Sequence, residues 1–147
     1  MILVVDASVA ARWVLPEPGS ERALGLRDEQ SDLIAPDLIV AEVANTVWKY
    51  ARRGAVSSAD AAAAVDVAVA PLSRLAPVHE LLGTAMAMAL RHGHPVYDCF
   101  YLALADREGA TIATVDQAQF EMARRARIRH PPWCAPRPRR ESDSVAL

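Results

Sequence analysis

Lysine is almost missing from this chain: Lys49 is the only one among 147 residues, although lysine and arginine together number 16. A phosphoacceptor receiver domain, which needs a lysine at the end of a late strand, is thereby excluded. Glycine is scarce at six residues, and no Gly-rich turn follows the first strand-like run, so a dinucleotide-binding module is excluded as well. An Asp-x-Asp signature is also missing there. The chain reads Asp6-Ala7-Ser8, which argues against a phosphatase of the haloacid-dehalogenase type. Cys99 and Cys134 lie in unlike surroundings without metal-ligand spacing, so a reduced pair is expected rather than a disulfide or a thiolate site. Cys99 sits in an apolar run, unsuited to a reactive thiolate. The longest uncharged run, Leu81 to Leu90, is too short to span a bilayer, and no basic region with a cleavage site precedes the strand-like start. Neither a membrane segment nor a secretory signal is expected, which places the protein in the cytoplasm.

The hydrophobic fraction of 52% with 23% charged residues is that of a globular domain, and the length suits one core. Short apolar runs (Ile2 to Val5, Leu33 to Ile34, Leu72 to Ala76, Thr111 to Val115 and a weaker one at Arg127 to Ile128) read as strands. Longer stretches between them read as helices: Ser8 to Leu15, Ser20 to Glu29, Asp37 to Arg52, Ser57 to Ala70, Val78 to His92, Tyr97 to Glu108 and Gln117 to Ala126. This alternation predicts an α/β fold with a parallel sheet. Ser57 to Asp60 offers an N-cap, and Gly54, Gly93 and Gly109 stand where C-caps belong. Residues 1–130 form one expected domain. Residues 131–147, rich in proline and arginine and without periodicity, read as a tail. Seven arginines between Glu121 and Glu141 make this end basic, either as a solvated segment or as phosphate-pairing groups.

Four acids stand out among 18. Asp6 and Asp116 each follow a buried strand, at the sheet edge where parallel folds bind ligands. Glu42, within "APDLIVAEVANTVW", and Asp98, within "VYDCFYLALA", are lone acids in helices that are apolar nearly all round, so each is buried or faces a cleft. Capping offers a plain account of Asp6 and Asp116, and a first-turn position of Asp98. Glu42 has no such role, and Asn45 lies on its face of the helix. Clustering unpaired carboxylates costs several kcal/mol or raises their pKa values. A hard divalent cation, Mg²⁺ or Mn²⁺, is the economical neutraliser, though Arg12, Arg52 and Arg91 are alternatives.

The stretches "LVVDASVAARWVLPE", "APDLIVAEVANTVWK" and "GHPVYDCFYLALADREGATIATVDQ" resemble, in order and spacing, the PIN-domain family and in particular its VapC-type ribonuclease toxins. The resemblance implies a three-layer α/β/α sandwich, metal-dependent cleavage of RNA, a homodimer and inhibition by a small VapB-type antitoxin. It puts the acidic metal site on Asp6, Glu42, Asp98 and Asp116, with Ser8 and Thr114 beside it. Asp116 falls at the family's least uniform position.

A working mechanism has Asp6 and Asp98 ligating the ion directly while Glu42 and Asp116 act through water or orient the attacking hydroxide, with Ser8, Thr114 and Asn45 in support. The four histidines lie at helix ends or loops, where surface or capping roles are expected. Single-stranded or looped RNA is the expected substrate, since a splayed loop enters a recessed site more easily than a stiff helix. Arg12, Arg52 and Arg91 are the candidate RNA-binding cations, with Arg53 and the Arg124 to Arg129 run also available to rim the cleft. Trp13, Trp48, Tyr50, Tyr97 and Tyr101 either stack on bases or fill core and interface. Apolar surface between residues 57 and 90 suits a partner helix, a second copy or intramolecular packing. The rival to a nuclease is a catalytically weak PIN-like module that binds RNA or protein.

Overall fold

The computed structural model describes residues 1–28 and 30–131. Four parallel strands, β1 (Ile2–Val5), β2 (Asp32–Pro36), β3 (Arg74–Ala76) and β4 (Thr111–Ala113), form one sheet in the order β3-β2-β1-β4. Strand β1 is central, pairing Leu3 with Leu33 on one side and with Thr111 on the other. Covered on both faces, it has no need of alternation, which is why Leu3-Val4-Val5 is uninterrupted and buried. After β1 the chain moves to β2 and β3 on one flank and returns to β4 on the other. The crevice beyond the carboxyl ends of β1 and β4 is therefore the switch point, where such sheets hold ligands.

Seven helices surround the sheet among the described residues: α1 (Ala7–Arg12), α2 (Ser20–Asp28), α3 (Leu38–Arg52), α4 (Ala61–Val69), α5 (Val78–His92), α6 (Val96–Glu108) and α7 (Gln117–Arg125). Helix α6 packs on β1, β2 and β4 and is covered by α5, while α1, α2, α3 and α4 pack on one another with α3 against β2. The result is a three-layer α/β/α sandwich. Cys99 to Ala105 are all buried, so α6 is a core helix with no solvent stripe. Helix α3 instead buries Ile39, Val43 and Val47 along one face.

Gly93 and Gly109 end α5 and α6 in the left-handed conformation at φ +59° and +57°, as expected of C-caps. Three expectations need correction. Helix α4 starts at Ala61, because residues 57–60 close a turn in which Asp60 N–H donates to Ser57 O at 3.0 Å. Residues 127–128 form no strand: one bridge pairs Thr111 with Arg129, and Ile112 N–H donates to Arg129 O at 2.8 Å. Arg127 there adopts φ +58°, a left-handed position costing a non-glycine residue roughly 1–2 kcal/mol. The apolar stretch fails as a strand because α7 ends by bonding Ile128 N–H back to Ala123 O at 2.9 Å. Helix α1 stops at Arg12, short of the expected Leu15. All but residue 131 of the expected tail, with Cys134, Arg137, Arg139 and Arg140, lies outside the described residues, as does Glu29. Among the described residues no helix is long and apolar enough to cross a membrane.

Candidate functional site

The ladder between β1 and β4 extends one residue past β1: Asp6 N–H donates to Ala113 O at 3.0 Å, which brings Asp6 beside Thr114. The Asp6 side chain then caps α1 by accepting from Ser8 N–H at 3.2 Å. Capping and site formation are thus one arrangement rather than alternatives. The Ser8 hydroxyl also donates to Asp6 Oδ2, and the Thr114 hydroxyl donates to the same oxygen at 3.0 Å. Each hydroxyl is itself held by a backbone donor, Val115 N–H on Ser8 at 3.2 Å and Asp116 N–H on Thr114 at 3.0 Å. Their protons are left for Asp6. Gln119, also buried, completes the set: with its amide nitrogen turned inward, as the surrounding acceptors require, it donates to Asp6 Oδ1 at 2.9 Å and to Thr114 Oγ1 at 3.1 Å.

Asp6 is 6% exposed. Burial outweighs the Ser8 and Thr114 donors, and with the nearby Glu42 charge it pushes the Asp6 carboxyl up from 3.8 to about 6. Glu42, in the second turn of α3, is half-buried, and the Tyr101 hydroxyl of α6 donates to its Oε2. Burial raises the Glu42 carboxyl, the Tyr101 bond opposes this, and the Asp98 charge adds to it. Burial, with the charges of Asp6 and Glu42, pushes the Tyr101 phenol upward, so it stays a hydrogen donor. Asp98, in the first turn of α6, keeps its side chain 30% exposed, and His94 Nε2 donates to its Oδ2 at 2.7 Å. Asp6, Glu42 and Asp98 are therefore electrostatic neighbours at one end of the sheet.

Asp116 stands exposed and caps α7, its Oδ1 accepting from Gln119 N–H at 2.8 Å. Asn45 is exposed on α3 and makes no side-chain hydrogen bond among the described residues. Of the candidate cations, Arg12 is tied inward: it pairs with Glu17 at 3.1 Å and donates to Ser8 O at 2.7 Å and Pro18 O at 2.9 Å. It braces the loop after α1. Arg52 lies over the Trp48 ring at 5.1 Å, and Arg91 lines a cleft on α5. Trp13 and Tyr101 belong to the core, whereas Trp48 and Tyr97 are exposed.

Two site residues carried little sequence signal. Gln119 looks no different from Gln117 until α7 is docked. His94 reads as a loop histidine, and only its spacing of four from Asp98 hinted at a bond.

Among the described residues, no lysine or arginine forms an ion pair with Asp6, Glu42, Asp98 or Asp116. Nor are three or more His, Cys, Asp or Glu side chains among them drawn together closely enough to grip an ion. The donors are oxygens, they carry like charge with no lysine or arginine paired to them, and one is strongly buried, which fits a hard divalent cation by type and charge. Tyr101→Phe keeps the ring volume but removes the Glu42 donor. Loss of such an orienting bond costs roughly 10–100-fold in metal affinity or activity. Titration of the variant with Mn²⁺ checks this, and an unchanged affinity would remove Tyr101 from the site.

A family model described as the PIN domain matches residues 3–125. Ribonuclease VapC3 of Pyrobaculum aerophilum is 39% identical to this chain over 120 residues, which cover 80% of the chain and 91% of that protein. Two crystal structures share the fold at 22% identity. FitAcB from Neisseria gonorrhoeae aligns with a TM-score of 0.61 over 90% of this chain and 99% of its own. PAE2754 from Pyrobaculum aerophilum aligns with a TM-score of 0.59 over 83% and 79%.

Proposed function

This chain belongs to the PIN-domain family, and from that premise we propose that it is an endoribonuclease toxin of the VapC kind, dependent on Mg²⁺ or Mn²⁺. Its substrate is single-stranded or looped RNA, met in the cytoplasm, and a small VapB-type antitoxin holds it in check. The observation that carries the reading is the electrostatic coupling of Asp6, Glu42 and Asp98 at the switch point, with no lysine or arginine paired to them among the described residues. The 39% identity to a ribonuclease supports the choice of RNA as substrate.

Asp6, Glu42 and Asp98 would hold the ion, with Asp116 completing the set. When bound, such an ion supplies an activated water and relieves charge on the phosphate oxygens. The chain does the rest. Ser8, Thr114 and Gln119 fix both oxygens of Asp6, so that the carboxylate faces the crevice in one orientation. Tyr101 occupies Glu42 Oε2, leaving Oε1 for the proton of the attacking water, a task its raised carboxyl suits. His94 steadies Asp98 from the opposite side. Leu82, Met86 and Leu90 form an exposed apolar row at four-residue spacing on α5 beside Tyr97 at the start of α6, which supports pairing with a second copy.

Incubating the purified protein with RNA of defined single-stranded and duplex segments, with and without Mn²⁺, tests the reading. Cleavage confined to loops, absent from an Asp98→Asn preparation, is expected. Binding without cleavage would make the protein a weak module of the same family instead.

A further inference from the structure

A second feature stands apart from the acidic crevice. A cleft of about 630 Å³ opens between the last turns of α5 and the end of α7, lined by Arg91, His92, Arg125 and Arg127, with Thr84 and, from α6, Asp106. Three arginines and a single acid are among its lining residues. Among the described residues none of the three arginines has an acidic partner within ion-pair distance, in contrast to Arg12, Arg74, Arg107 and Arg124. The cations near the helix C-termini, Arg91 and Arg125, also answer the negative ends of α5 and α7. Arg127 has no such reason to be there. It occupies the left-handed position of a helix-ending turn, φ +58°, where Arg127 N–H donates to Arg124 O at 3.1 Å and Ile128 N–H to Ala123 O at 2.9 Å. Glycine fills that position at little cost and an L side chain rarely does, so Arg127 places a cation in the cleft against the backbone's preference.

We propose that this cleft is a binding site for the phosphodiester backbone of single-stranded RNA, separate from the cleavage centre and formed by Arg91, Arg125 and Arg127. The proposal rests on the ribonuclease reading for its ligand. Arginine pairs phosphate oxygens through its planar fork, and three such groups take two or three successive phosphates. Asp106 sits eight residues along α6 from Asp98, about 12 Å at the helical rise. That span equals roughly four stacked nucleotides at ~3.4 Å each. A strand gripped as far as the Asp106 wall of the cleft extends several nucleotides beyond the scissile bond, so the cleft favours long RNA over short.

The test uses the full chain in EDTA with a fluorescent 12-nucleotide single-stranded RNA, measuring anisotropy across a salt series. Replacing Arg91→Ala and Arg127→Ala together should weaken binding about tenfold or more and make the slope of log K against log salt shallower by about 1.4, two single-strand phosphate contacts. Arg22→Ala with Arg27→Ala, two exposed arginines on α2 outside the cleft, removes the same two charges and should change neither. Arg127→Gly separates binding from folding: the melting temperature should rise by a few degrees while RNA affinity falls. Inorganic phosphate at millimolar concentration should compete only weakly, since a free ion engages one contact instead of several. An unchanged affinity and slope in the double variant overturns the proposal, as does an Arg127→Gly protein that binds RNA like the parent. Failure of the ribonuclease reading looks different. There the chain binds RNA through the arginines and cuts nothing in Mn²⁺.

Discussion

Asp6→Asn will abolish RNA cleavage and at the same time make the metal-free protein more stable. The activity loss should exceed the roughly 10–100-fold attached to orienting groups, because Asp6 is itself a proposed ligand. The stability gain follows from the carboxyl's position. Burial raises it from 3.8 to about 6, so the folded state binds the proton more tightly than the unfolded chain does. Stability from that proton is fully present below pH about 4 and is lost as pH rises through about 6. At neutral pH the ionised Asp6 therefore costs the fold up to about 3 kcal/mol, at ~1.36 kcal/mol per unit. Asparagine keeps the shape and an oxygen for Ser8 and Thr114, and Gln119 can turn its amide over to meet the new nitrogen. Thermal unfolding in EDTA from pH 4 to pH 8 reads this directly. The variant should melt several degrees higher at pH 8 and match the parent at pH 4. A variant that melts lower at pH 8 would mean that Asp6 holds the fold together as a structural cap and little else.

Divalent metal should do for the wild-type protein what asparagine does for the variant. EDTA is expected to remove cleavage completely, and Mg²⁺ or Mn²⁺ at a hundred times its dissociation constant should add about 2.7 kcal/mol to stability. For a chain of this size that is roughly 5–10 °C in melting temperature. Because protons compete for Asp6, the shift should shrink as pH falls from 7 through about 6. Combining Asp6→Asn with Asp98→Asn should eliminate it. Undiminished cleavage in EDTA, or an equal Mg²⁺ shift in the double variant, would sink the assignment of these carboxylates to a metal. The two experiments are independent, since one reads the charge without metal and the other reads its neutralisation.

Chain-local features were legible before any coordinates. The uninterrupted run Ile2 to Val5 announced a buried strand, the bounds Val78–His92 for α5 followed from periodicity and the glycine after it, and Glu42 stood out because a mid-helix acid among apolar neighbours has no cap to serve. Errors gathered where two local preferences competed. Ser57 to Asp60 can cap a helix or close a turn, and the turn prevailed; residues 127–128 can form a strand or end a helix, and the bond back to Ala123 made them a helix end. The pairing of Arg12 with Glu17 carried no sequence signal, because it is set by how the following loop folds back.

From the order of its residues alone, the chain dictated an alternating parallel α/β architecture and the identity of the acids that interrupt its apolar segments, because periodicity and charge are properties of neighbours. Folding decided which groups answer those acids: Thr114 reaches Asp6 across 108 positions, Tyr101 reaches Glu42 across 59, and Gln119 turns inward only once α7 is docked. Such bonds depend on distances between segments that no spacing along the chain encodes. The same packing left Asp116 at the surface as a cap and gathered Arg91, Arg125 and Arg127 around one cleft.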